Sequence, residues 1–89
     1  MKFIDYTNQF KRDAKKAQKR GKDINKLLSV IQLLADNQPL SVTLKDHPLK
    51  GEWQPSRELH LEPDWLFVYS VDDERVLCER TGTHSDLFG

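Results

Sequence analysis

The chain has 89 residues, with 14 Lys or Arg against 14 Asp or Glu, so its formal net charge is zero. That length allows one domain, residues 1–89, with one small core, and it excludes a separate cofactor domain. A single cysteine, Cys78, excludes an internal disulfide; no apolar run could span a bilayer, and Met1-Lys2-Phe3-Ile4-Asp5 has no apolar signal region, so a cytoplasmic protein without membrane contact is expected.

The charge is segregated. Residues 1–26 hold nine Lys or Arg and three Asp or Glu, whereas residues 27–89 hold five and eleven. The basic first segment could contact RNA phosphates or an acidic protein partner. It could equally be a solvated helix face.

Phe3 to Tyr6 is short and alternating, which predicts a first strand. Thr7 or Asn8 can cap the helix that follows. Tyr6, Phe10, Ala14 and Ala17 form its apolar stripe, and Gly21 stops it. Asp23 caps a second helix in which Ile24, Leu27, Leu28, Ile31, Leu34 and Ala35 keep helical spacing. Val30 and Leu33 widen that stripe, and Asn37 and Pro39 end it. The pair predicts a helical hairpin packed on something flat.

The period then changes. Ser41 to Gln54 reads as a loop. Arg57 to Leu61 alternates, with Arg57, Leu59 and Leu61 on one face and Glu58 and His60 on the other. Glu62-Pro63-Asp64 is a turn, and Trp65 to Tyr69 is a β-prone run fit for a central strand. Asp72-Asp73-Glu74 is another turn, Arg75 to Thr81 a last strand, and Gly82 to Gly89 a tail with about one turn of helix. The expected fold is α+β. An N-terminal strand and helical hairpin cover one face of a mainly antiparallel twisted sheet, and the opposite face stays open and concave.

The three histidines of the chain, His47, His60 and His84, all fall in short polar motifs in this second half. Histidine gives and takes protons near neutral pH. Three of them with an Asp and an Arg would suit acid–base chemistry on a phosphodiester. Metal-free RNA cleavage needs a base for the 2′-OH, an acid for the leaving 5′-oxygen, and cations for the charge on the phosphorane.

The segments Lys45-Asp46-His47-Pro48-Leu49-Lys50-Gly51, His60-Leu61-Glu62-Pro63-Asp64-Trp65 and Glu79-Arg80-Thr81-Gly82-Thr83-His84-Ser85-Asp86-Leu87-Phe88 together resemble the YafQ branch of the RelE/ParE toxin superfamily, over nearly the whole chain. The resemblance implies a type II toxin: a ribosome-dependent, metal-independent endoribonuclease that cuts mRNA in the A site of the 70S ribosome, at lysine codons of the AAA type. It implies a cognate DinJ-type antitoxin, with operator DNA bound only by the toxin–antitoxin complex. No cofactor is expected. It assigns catalysis to His47, His60, Asp64 and His84, with His84 as general acid, Asp64 with His60 as base, and His47 on the scissile phosphate. An Asp near its ordinary pKa of about 3.9 is a weak base, so Asp64 would need desolvation or a His partner, and its role could pass to a histidine.

Arg80 could bind phosphate, with an ion pair to Glu79 or Asp86 as the plain alternative. Lys45 and Lys50 flank His47 and could reach RNA phosphates. Trp65 and Phe88 could stack on an unpaired base, and core packing is the alternative, more so for Trp65. Trp53 and Cys78 read as structural.

Two other readings remain. A ParE-like toxin would share the fold but act by binding DNA gyrase without nuclease chemistry, leaving three histidines and Asp64 without an evident task. A zinc protein could use three His and an Asp, but the intervals of 13 and 24 residues between the histidines match no compact metal motif.

Overall fold

The computed structural model describes residues 1–89. Strand β1 (Phe3–Tyr6) leads through Thr7, whose hydroxyl accepts the Phe10 N–H, into helix α1 (Asn8–Lys19). Gly21, at φ +87°, turns the chain in a conformation that favours glycine. Asp23 caps helix α2 (Ile24–Ala35) through the Asn25 N–H. The second half holds strands β2 (His47–Pro48), β3 (Arg57–Glu62), β4 (Trp65–Val71) and β5 (Arg75–Gly82), then helix α3 (His84–Phe88).

The five strands form one sheet in the order β1-β5-β4-β3-β2. β1 runs parallel to β5, and the other pairs are antiparallel. The sheet is thus mainly antiparallel, as expected. β4 lies at its centre and is buried from Trp65 through Tyr69. The helices cover one face. Phe10, Leu27, Ile31 and Ala35 meet Leu59, Leu61, Trp65, Phe67, Tyr69, Val76 and Cys78 in the main core. Burial pushes the Cys78 thiol up to about 12, which keeps it protonated and inert.

The opposite face departs from expectation in two places. The stretch 41–54 is not all loop: it contains two 3₁₀ turns, Val42–Leu44 and Gly51–Trp53, and the two-residue strand β2. β2 carries Pro48, which an edge strand tolerates because one side of its backbone needs no ladder bond. Nor is the face fully open. Leu66 and Val68 point away from the helices and are sealed by Leu87 of α3, with Leu49 and Trp53 beside them. What stays exposed is the rim around that small cluster, where the histidines lie.

Candidate active site

β2 and β3 build the first half of the site. His47 lies opposite Glu58 in the antiparallel register, and His60 follows Glu58 by two residues on the same face. One carboxylate therefore serves two imidazoles. Glu58 Oε2 is 3.1 Å from His47 Nε2 and 3.9 Å from His60 Nε2. The Glu58 side chain is only 7% exposed, and its other oxygen, Oε1, has no hydrogen-bond partner. His47 is held from its far side, with Nδ1 2.8 Å from the Lys45 carbonyl oxygen. A carbonyl only accepts, so Nδ1 carries the proton and donates it.

The loop bearing His47 is tied to the sheet through Asp46. Its carboxylate accepts from the Tyr69 hydroxyl at 2.5 Å and from Arg57 at 2.9 Å. Burial, reinforced by Asp46, pushes the Tyr69 phenol above its ordinary range, so it remains a donor.

The second half stands on α3. Thr83 caps this helix in a box with Asp86: each side chain accepts the other's backbone N–H. Arg20, which caps the C-terminus of α1, reaches Asp86 at 2.6 Å, and Lys16 of α1 reaches the same carboxylate at 3.4 Å, so this end of α1 clamps the helix that carries His84. Arg20 first, then the Thr83 backbone, hold the Asp86 carboxyl well below the usual range. His84 in turn is fixed by Asp64, whose Oδ1 accepts the His84 backbone N–H at 3.0 Å and lies 2.8 Å from Nδ1. The backbone bond, then the ring, hold the Asp64 carboxyl below its usual range. A carboxylate only accepts, so Nδ1 of His84 donates and Nε2 is left to exchange protons.

The three rings form one row: His47 and His60 are 6.1 Å apart between centroids, and His60 and His84 5.8 Å. His47, His60, Asp64 and His84, spread over 38 positions of sequence, thus meet on one rim. Phe88 follows His84 by one helical turn and is 43% exposed, resting edge-on against Trp53 at 5.2 Å. Lys45 lines a groove beside His60 together with Lys26 and Glu62. Lys50 is exposed at the start of the second 3₁₀ turn.

Two expectations need correction. Trp65 is 1% exposed and its indole N–H donates to Thr81 Oγ1 at 3.0 Å, so it is a core residue and offers no face to a base. Arg80 is not a free phosphate binder: Nε donates at 2.7 Å to Asp13, a buried residue of α1, which occupies its charge. The partner is neither Glu79 nor Asp86. Asp64 spends one oxygen on the His84 backbone and ring, and its carboxyl is held below its usual range. Glu58 was missing from the candidate set, although strand parity already put it beside His60. The imagined metal set changes too. His47, Glu58 and His60, not three His and Asp64, bring their ligand atoms within 4.8 Å of one another.

Residues 2–89 match the family described as bacterial toxin of type II toxin-antitoxin system, YafQ. The class is therefore that of the type II toxins. A relative from Escherichia coli strain K12, an mRNA interferase toxin YafQ, is 49% identical over 87 residues, covering 97% of this chain and 95% of its own length. A chain of the E. coli DinJ-YafQ complex is similar at a TM-score of 0.92 and 48% identity, over 100% of both chains. A toxin from Helicobacter pylori solved in a metal-bound form gives a TM-score of 0.92 at 41% identity, over 99% of this chain and 100% of that one. The chain belongs to the YafQ toxin family.

Proposed function

We propose that this protein is an mRNA interferase: an endoribonuclease that cuts mRNA in the ribosomal A site at lysine codons of the AAA type and so stops translation. The observation that carries the reading is the row of three imidazoles, each held by a carboxylate or a neighbouring ring, on the rim of an otherwise close-packed sheet. The name of the E. coli relative agrees with it.

The 2′-OH of the nucleotide before the cut attacks the adjacent phosphorus. The His60–Glu58 pair takes its proton, His47 faces the charge building on the non-bridging oxygens, and the P–O5′ bond breaks as His84 Nε2 gives a proton to the leaving oxygen. A 2′,3′-cyclic phosphate and a 5′-OH remain. Asp64 keeps the His84 ring in one orientation, as a third group does for the base of a hydrolytic triad. Phe88 stacks on a base of the codon. No step passes through a metal. The protein itself is neutral overall, which suits an enzyme that relies on the ribosome to present its RNA. A DinJ-type antitoxin is its proposed partner, by analogy with the E. coli complex.

Toeprinting of an mRNA with lysine codons, with and without ribosomes, tests this reading. Cuts at A-site AAA codons that vanish without ribosomes support it. An intact mRNA in every lane, with DNA gyrase inhibited instead, would favour the ParE-like alternative.

A further inference from the structure

His84 is carried by a helix that cannot stand alone. α3 has five residues, and isolated helices shorter than about 12–15 residues are marginal in water. Its apolar anchor is Leu87, packed with Leu66 and Val68. Apolar burial is non-directional, so it holds the helix down without fixing its roll about its own axis. Side chains two positions apart on a helix lie about 200° round that axis, since a turn takes about 3.6 residues. Asp86 therefore projects almost opposite His84, and whatever holds Asp86 sets where the imidazole points.

Four donors converge on that carboxylate. Arg20 forks onto it, with Nη1 2.6 Å from Oδ2 and Nη2 3.4 Å from Oδ1. Lys16 Nζ reaches Oδ1 at 3.4 Å, and the Thr83 N–H donates to Oδ2 at 3.0 Å. The Asp86 side chain is left only 19% exposed. A Cβ added to Gly82 would stand 2.9 Å from Oδ2, so the carboxylate fits because residue 82 has no side chain. Most surface ion pairs contribute little, because both partners are loose. Here the Arg20 end is rooted. Its backbone N–H closes the end of α1 on the Lys16 and Ala17 carbonyls, and Ala17 lies in the main core.

We propose that the Arg20–Asp86 pair positions the general acid: it sets the roll of α3 and with it the separation of the His84 ring from His60. The proposal rests on the nuclease reading. His60 stands on β3, inside the sheet, whereas His84 stands on α3, outside it, and their rings, 5.8 Å apart, must flank one phosphate. A misplacement of about 1 Å costs about 10²-fold in rate. The pair ties α3 to the core through α1, so it acts on the chemical step and not on RNA affinity. Arg20 holds the Asp86 carboxyl well below its usual range, so the tie stays charged at neutral pH.

Single-turnover cleavage on ribosomes holding an AAA codon in the A site is measured over a range of toxin concentrations. Arg20→Ala, Arg20→Lys, Asp86→Asn and the double variant Arg20→Ala/Asp86→Asn are compared with wild type. Circular dichroism at the assay temperature reports which are folded, and either folded single variant suffices. Arg20→Ala and Asp86→Asn should each lower the saturating rate by about 10–10²-fold, with the half-saturating concentration unchanged. Arg20→Lys should recover part of the rate, since it keeps the charge without the fork. The double variant should be no slower than the slower single one, because both remove one contact. Asp86→Asn makes the toxin more positive, so weaker attraction to RNA cannot explain its loss. An unchanged saturating rate in a folded Arg20→Ala or Asp86→Asn overturns the proposal. So does a loss confined to the half-saturating concentration, which would make Arg20 an RNA contact. A nuclear magnetic resonance spectrum of free toxin with isotope-labelled histidine needs no activity. The His84 ring signal should shift or broaden in both variants while the His47 signal stays, and an unmoved His84 signal overturns the positioning. A wild type that never cleaves would contradict the nuclease reading and the effect on rate, while the spectrum still decides whether the pair places the ring.

Discussion

The two faces of one sheet are built to different ends. Toward the helices lie 13 buried residues of the main core, and the polar groups among them are satisfied: Trp65 donates to Thr81, Thr81 to the Leu66 carbonyl, and Asp13 accepts from Arg80 and the Thr81 N–H. Away from the helices only Leu66, Val68 and Leu87 form a core, and around them stand half-exposed histidines and a buried carboxylate with an unpartnered oxygen. Stability and reactive groups thus reside on different faces. Packing on one face fixes the strands, and the strands fix the spacing of reactive groups on the other. Substitutions on the two faces should therefore separate into those that change folding and those that change rate.

The largest effect is expected at His84. Removing a general acid costs about 10²–10⁴-fold in rate, so His84→Ala should lower single-turnover cleavage by that factor and leave the unfolding midpoint almost unmoved, its ring being exposed and bonded only to Asp64. Phe67, 0% exposed, gives the mirror image. Phe67→Ala should lose about 3–5 kcal/mol in urea unfolding, while the molecules that remain folded cleave at the normal rate.

Glu58→Gln sharpens the comparison, because it should move stability and activity in opposite directions. The amide can donate where the carboxylate could not, and it removes a buried charge. Thermal unfolding should rise by about 4–8 °C for each kcal/mol recovered, while cleavage falls with the loss of the base. A lower midpoint would mean that the His47–Glu58 contact is a stabilising ion pair.

Asp86→Asn should cost about 1 kcal/mol or somewhat more, since it weakens a helix cap and the Arg20 contact. Its pH dependence has a definite sign. The folded-state value is depressed, so the carboxylate's contribution is fully present above the ordinary value of about 3.9 and fades as pH falls through the lower folded value. The stability gap between wild type and Asp86→Asn should thus be constant near neutrality and close progressively below about pH 4. Smallest of all is Arg75→Ala. Its pair with Asp5 is solvent-exposed on both sides, so the unfolding midpoint should not move measurably.

The fold was legible wherever hydrophobic period and punctuation agreed. Phe10, Ala14 and Ala17, then Leu27, Ile31 and Ala35, mark the helix stripes that the core uses, and Thr7, Gly21 and Asp23 bound them. The unbroken run Trp65 to Tyr69 reads as a strand buried on both sides, and it is one. β2 was hidden because two residues carry no period, and the cover of Leu66 and Val68 was hidden because Leu49 and Trp53 on one side and Leu87 on the other lie far from them in sequence. Of the site, the histidine row depended on three motifs whose spacing says nothing about distance. Glu58 was visible by parity next to His60, but its alignment with His47 required the register of β2 on β3. Arg80 misled because its partner, Asp13, sits in α1 among basic residues, and a part-buried charge pair between distant elements leaves no local trace. Trp65 misled because an aromatic beside a catalytic motif looks the same in sequence whether it faces out or in.

RNA cleavage by the imidazole row can be tested on the ribosome itself. The most direct measurement is single-turnover cleavage of mRNA on ribosomes stalled with an AAA codon in the A site, comparing wild type with folded His84→Ala, His60→Gln and Asp64→Asn. The account predicts cuts within the A-site codon for wild type, a loss of at least about 10²-fold for His84→Ala and His60→Gln, and a smaller loss for Asp64→Asn, which still positions a ring. Full cleavage by His84→Ala would contradict it.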